Sequence, residues 1–182
     1  GTNPLVREIR STNPGRLFGM GQIFDATQSM VVHGFTFYAN HDGLFKDSYP
    51  VNCYIYDKGG NKLPDGEALA ESRVYINKVN VDTFYNDSTR YTAIFDKPVD
   101  ITNDYILTIE LDTAFGLNNY VPIEIGVTDW IEHDGDGDLL AIGKITEDST
   151  WVTSASVASF NCEGAACDMD VLIEPLVEFS VD

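Results

Sequence analysis

The chain has 182 residues and a formal charge of −18, from 29 acidic and 11 basic side chains. Its 43% hydrophobic and 22% charged residues exclude a disordered chain, and its length suits one domain that buries about two-thirds of its unfolded surface. The negative field repels phosphate backbones and anionic lipid, and no apolar run reaches the roughly 18 residues of a membrane helix, so nucleic acid and membrane are poor partners.

The chain opens on Gly1-Thr2-Asn3-Pro4 without Met, the expected start of a trimmed piece of a longer protein. Residues 1–13 are polar and predict a loose N-terminal arm or an edge strand. Gly15-Arg16-Leu17-Phe18-Gly19-Met20-Gly21 carries glycines but neither a P-loop lysine nor a following helix, so it is no phosphate cradle. From there strand-like runs follow one another, parted by Gly, Asn, Asp and Pro clusters. They are Met30 to Ala39, Val51 to Tyr56, Ala68 to Ile76, Arg90 to Phe95 and Tyr105 to Leu111, then Val121 to Val127, Leu139 to Ile145, Trp151 to Val157 and Val171 to Val181. Pro175 predicts an edge strand or a bulge in the last run, while Pro122 stands harmlessly at the start of its own. Leu63-Pro64-Asp65-Gly66 predicts a surface corner, with Pro fixing φ and Gly taking the left-handed position.

Nine or ten strands joined by turns, without helical crossovers, predict antiparallel sheets. The two-residue alternation needs a dry side for each strand, which two packed sheets supply. The expected fold is therefore a single all-β domain over residues 1–182, a jelly-roll-like two-sheet sandwich, with a closed barrel as the alternative. Phe35, Phe37, Phe84 and Phe95 are its candidate core.

The densest acidic segment is Glu132-His133-Asp134-Gly135-Asp136-Gly137-Asp138. Asp134, Asp136 and Asp138 could gather carboxylates around calcium, which takes about six to eight oxygens, and the glycines would let the backbone curl to add carbonyls. An EF-hand is excluded, because Leu139 stands where that loop needs Gly and Ile145 where it needs Glu. A calcium loop of another kind and a solvated acidic turn both remain. Trp130 beside this loop and Trp151 at the start of a strand are the candidate ligand contacts, since an exposed indole stacks on a sugar ring; packing in the core or rim is the competing role.

Cys162 and Cys167 flank a short loop, and a disulfide closing it would stabilise by roughly 2 kcal/mol. A two-thiolate metal site is the alternative, but no Cys or His pair stands near to complete it. The disulfide implies an oxidising, extracytoplasmic setting. Cys53, inside an apolar run, reads as a small buried hydrophobe. His33, His41 and His133 lack zinc-ligand spacing, with His33 read as a structural strand residue. No nucleophile elbow exists, and no strand shows the inward, paired glutamates of a glycosidase cleft.

The order of motifs carries a resemblance. Val32-His33-Gly34-Phe35-Thr36-Phe37-Tyr38-Ala39 is followed by Cys53-Tyr54-Ile55-Tyr56-Asp57, Gly60-Asn61-Lys62-Leu63-Pro64-Asp65-Gly66-Glu67-Ala68-Leu69-Ala70 and Phe95-Asp96-Lys97-Pro98-Val99. Gly135-Asp136-Gly137-Asp138-Leu139-Leu140-Ala141, Trp151 and Asp168-Met169-Asp170-Val171-Leu172-Ile173-Glu174-Pro175 complete the set. Over residues 20–180 the chain resembles the β-sandwich modules of large secreted or surface proteins from gliding-type bacteria with type IX secretion. The resemblance implies a secreted or cell-surface location, neighbouring domains in a larger chain, and a noncatalytic role. The expected function is an extracellular binding or adhesion module, with a glycan or another surface protein as partner and calcium as the candidate cofactor. A structural spacer domain and a small β-sandwich glycoside hydrolase or polysaccharide lyase are the alternatives.

Overall fold

The computed structural model describes residues 5–9, 18–41, 47–58, 63–78, 90–112, 123–127, 141–144, 150–153 and 170–180. Every regular element among them is a strand. In chain order these are β1 (Leu5–Ile9), β2 (Gly19–Phe24), β3 (Met30–His41), β4 (Ser48–Lys58), β5 (Pro64–Asn77) and β6 (Arg90–Ile101). After them come β7 (Tyr105–Leu111), β8 (Ile123–Val127), β9 (Ala141–Lys144), β10 (Trp151–Thr153) and β11 (Glu174–Phe179). One sheet runs β1-β8-β3-β11, with β6 also paired to β3; the other runs β10-β9-β2-β7-β4-β5. All these strand pairs are antiparallel. The two sheets pack face to face, and the fold is the antiparallel β-sandwich that the alternation predicts.

The period of two explains the packing. Phe35 and Phe37 of β3, Val51, Cys53 and Ile55 of β4, and Leu107 and Ile109 of β7 are wholly buried between the sheets. Phe35 sets its ring against Phe37 at 5.7 Å and against Phe95 of β6 at 6.0 Å, the separation at which aromatic pairs attract. Phe84 lies outside the described residues.

Two of the described strands are not among the nine runs named from the sequence, both near the N-terminus. β1 is the edge-strand alternative for residues 1–13, paired to β8. β2 takes up the glycine segment that is no phosphate loop: Gly19 and Gly21 lie inside a strand flanked by β7 and β9. The predicted corner at Leu63-Pro64-Asp65-Gly66 is corrected, because β5 already begins at Pro64. Gly66 does take φ of 67°, as a left-handed residue must, but within a bulge where Gly66 to Leu69 stand opposite Tyr56. β6 also runs past its predicted end, because Phe95 to Pro98 form a bulge opposite His33. Pro98 thus falls where the ladder is interrupted and needs no N–H donor. β11 pairs with β3 alone and shifts register between Leu176 and Val177, so Pro175 sits in an edge strand with a bulge beside it.

Local contacts close the sandwich. Asp104, in the turn before β7, accepts hydrogen bonds from Lys58 Nζ at 2.7 Å and from the Ala26 N–H at 3.1 Å. That one carboxylate ties the β2–β3 turn to the end of β4, and its pKa is lowered by these partners, the Lys58 hydrogen bond first. Where β5 and β6 run side by side, the Glu71 N–H donates to Asp96 Oδ1 at 3.1 Å and the Asn77 N–H to Tyr91 Oη at 2.8 Å. These bonds cover outward-facing donors on the edge of the six-stranded sheet.

Candidate functional site

On β4, alternation turns Asn52, Tyr54 and Tyr56 away from the core that Val51, Cys53 and Ile55 enter. On β5 the same rule sends Glu71, Arg73 and Tyr75 outward. Register sets Asn52 beside Arg73 and Tyr54 beside Glu71, so the two strands build one polar surface. β6, from the other sheet, runs along β5 and adds Ile94 and Asp96 as a second wall. The result is a groove of about 560 Å³, with Asp112 at its β7 end.

Its charges are ordered. Arg73 pairs with Asp112 at 2.7 Å, and Asp112 is only 8% exposed, so the pair is much less screened than a fully exposed one. The Arg73 guanidinium also lies 5.5 Å from the Tyr75 ring centre, within cation–π range. Burial and the nearby carboxylates, Glu110 foremost, push the Tyr54 phenol up to about 12. It is therefore a neutral hydroxyl at physiological pH, able to donate and to accept. Ile94 is 58% exposed and gives the groove an apolar side.

Below the groove, a register row crosses the sheet from Asn52 to Glu110 to Gly19. Glu110 is buried, and it accepts hydrogen bonds from Tyr56 Oη at 3.1 Å and Thr108 Oγ1 at 3.0 Å. Burial first and Glu110 second hold the Tyr56 proton on far above the ordinary phenol range. A Cβ at Gly19 would stand 2.8 Å from Glu110 Cγ and 3.2 Å from Trp151 Cη2, so glycine leaves the space these two side chains share. On the opposite face, Cys53 is free and fully buried, and burial pushes its thiol up, which makes it an inert hydrophobe as its sequence context suggests.

Of the residues singled out from sequence, Trp151 is 9% exposed and packs with Ile23 and Ile106 beside Tyr56 and Leu63. Trp130, the calcium candidates Asp134, Asp136 and Asp138, and the Cys162–Cys167 pair lie outside the described residues. Among the described residues no three His, Cys, Asp or Glu side chains stand close enough to hold a metal ion. His33 Nε2 meets Glu178 Oε2 at 3.1 Å on the surface, and His41 Nε2 donates to the Asp47 carbonyl at 3.0 Å.

Sequence reading did not single out Asn52, Tyr54, Arg73, Ile94 or Asp112. Two signals were there: tyrosines alternating with Asn52 opposite an apolar face, and Glu71-x-Arg73-x-Tyr75 on the next strand. What no pattern shows is that β5 and β6, in different sheets, meet to make a groove. Comparison of the chain with protein-family models, curated proteins and solved structures found no match.

Proposed function

We propose that the chain is a noncatalytic extracellular binding or adhesion module, and that the groove between β4, β5 and β6 takes a neutral glycan. The observation that carries this reading is the groove's composition: Asn52, Glu71, Arg73 and Asp112 beside Tyr54 and Ile94. Planar donors and acceptors suit ring hydroxyls, and a phenol beside an aliphatic wall suits the C–H face of a pyranose. Three carboxylates to one guanidinium disfavour an acidic sugar. Two of the three carboxylates are also engaged, Asp112 by Arg73 and Asp96 by the Glu71 N–H, which suits holding a ligand better than moving a proton. The secreted or cell-surface setting rests on the sequence, through the resemblance and the Cys162–Cys167 pair.

Retention on insoluble neutral polysaccharides, followed by a glycan array, tests the reading. Tyr54→Ala and Asn52→Ala should each weaken binding about tenfold, a loss of about 1.4 kcal/mol, measured at a temperature where circular dichroism shows both variants folded. No retention by any glycan would favour the spacer domain, and release of new reducing ends would favour the hydrolase or lyase.

Calcium belongs to the same proposal through Asp134, Asp136 and Asp138. If only the folded chain binds it, millimolar calcium should raise the melting temperature, and Asp136→Ala should remove the rise. An unchanged melting curve would exclude the ion.

A further inference from the structure

The groove is not the only concavity. Residues 170–173, which lead into β11, stand between the two sheets. Gln22 of β2 holds this segment with both ends of its amide: Nε2 donates to Asp170 Oδ1 at 2.9 Å, and Oε1 accepts the Val171 N–H at 3.0 Å. From the other sheet, β8 takes the Leu172 N–H on the Gly126 carbonyl at 3.0 Å, and Val171 bridges Val127. The segment is therefore a fixed wall. It bounds a cleft of about 380 Å³ that shares no residue with the groove.

Phe24, Tyr38, Leu172 and Ile173 give the cleft an apolar lining. Phe24 is braced by stacking on Tyr105 at 5.5 Å. Asp170, Glu174 and Arg90 add charged groups to the lining. The Arg90–Glu174 contact is long, at 3.8 Å, and both side chains are exposed, 42% and 76%, so it contributes little and leaves Glu174 accessible to another cation. The volume falls within the range of about 300–1,000 Å³ for small-molecule sites, which are mostly apolar with a few polar groups that orient the ligand.

We propose that this cleft is a second binding site, for a small aromatic molecule bearing one positive charge, such as an arylalkylamine. The ring would replace water against Phe24, Leu172 and Ile173. The ammonium would face Asp170 and Glu174, with the Tyr38 ring within the same cleft. Apolar walls strengthen these attractions by excluding solvent. An anion of the same shape would meet two carboxylates and the negative field of a chain at −18.

The test uses phenethylamine and its near-isostere hydrocinnamate, titrated separately into the isotopically labelled full chain and followed by amide chemical shifts. Phenethylamine should give saturable shifts at Phe24, Tyr38 and Leu172, and hydrocinnamate should bind at least about tenfold more weakly. Asp170→Asn keeps an oxygen acceptor for Gln22 while removing the charge, and it should weaken the amine about tenfold. Leu172→Trp should fill the cleft and abolish binding. Should that variant not fold, the comparison of the two probes on the unaltered chain still decides. Equal affinity for both probes, or no shift at those amides with millimolar amine, would overturn the proposal.

Discussion

β6 and β7 lie in different sheets and treat their outer faces in opposite ways. Along β6 the outward residues Arg90, Thr92, Ile94 and Asp96 are exposed, and only the core side is dry. Along β7 both sides are dry, with Tyr105, Leu107 and Ile109 facing the core and Ile106, Thr108 and Glu110 buried on the other side. The sandwich is therefore not two equivalent layers. The six-stranded sheet carries a small second cluster on its back, where Ile23, Ile106 and Trp151 pack with Tyr56 and Leu63. Covering that face buries a carboxylate, and the sheet answers with hydroxyls from Tyr56 and Thr108 on Glu110. The open face of β6 meets no such demand and is left to form a groove wall.

The seam that holds β6 in place should be the most sensitive point of this contrast. At Gly34 the two strands approach so closely that a Cβ would lie 1.9 Å from the Ala93 carbonyl oxygen. Backbone cannot swing aside as a side chain can, so Gly34→Ala should cost about 3 kcal/mol or more in denaturant unfolding. A nearly unchanged midpoint would mean that β6 lies further from β3 than a 1.9 Å approach to Ala93 requires.

The contrast itself is sharpened by a pair of truncations. Ile106→Ala, on the back of the sheet, should cost about 2–5 kcal/mol, the same range as Leu107→Ala in the main core. Ile94→Ala, equally apolar but 58% exposed, should stay within about 0.5 kcal/mol. Were Ile106→Ala as mild as Ile94→Ala, the second cluster would contribute nothing to the fold.

A smaller, pH-dependent effect is expected at Asp104. Its pKa is lowered in the folded chain, so its contribution is complete above the unfolded value of about 3.9 and fades as pH falls through the folded one. Asp104→Asn should lower the melting temperature slightly at neutral pH, and the gap from the unaltered chain should close below about pH 4. A gap that persists in acid would assign the loss to packing rather than charge.

Periodicity was a good guide wherever β-branched and aromatic residues recur at the two-residue spacing, even on β7, whose two faces are both dry. β3, β4 and β7 stand close to their expected positions, and the bounds of β7, Tyr105–Leu111, agree at both ends. β2 escaped notice because Gly19-Met20-Gly21-Gln22 has no β-branched residue and no alternation, being buried on both sides between β7 and β9. The bulges at Gly66 and Pro98 hid the full lengths of β5 and β6, since turn residues inside a strand look like its end. Of the site, Trp151 was visible with two roles, ligand contact or packing, and the choice between them depends on the glycine at position 19, two strands along the sheet. The groove was illegible for a different reason. It depends on two strands from separate sheets lying alongside, a long-range fact that no local pattern carries.

The bonds from Asp96 and Tyr91 to the flank of β5 have a consequence for life in a crowd. Wherever copies of the chain are concentrated, like strands come together, and an unguarded flank would template its neighbour. Here two of that flank's donors are occupied by side chains of the same molecule, so adjacent copies meet fewer groups on which a new strand could zip.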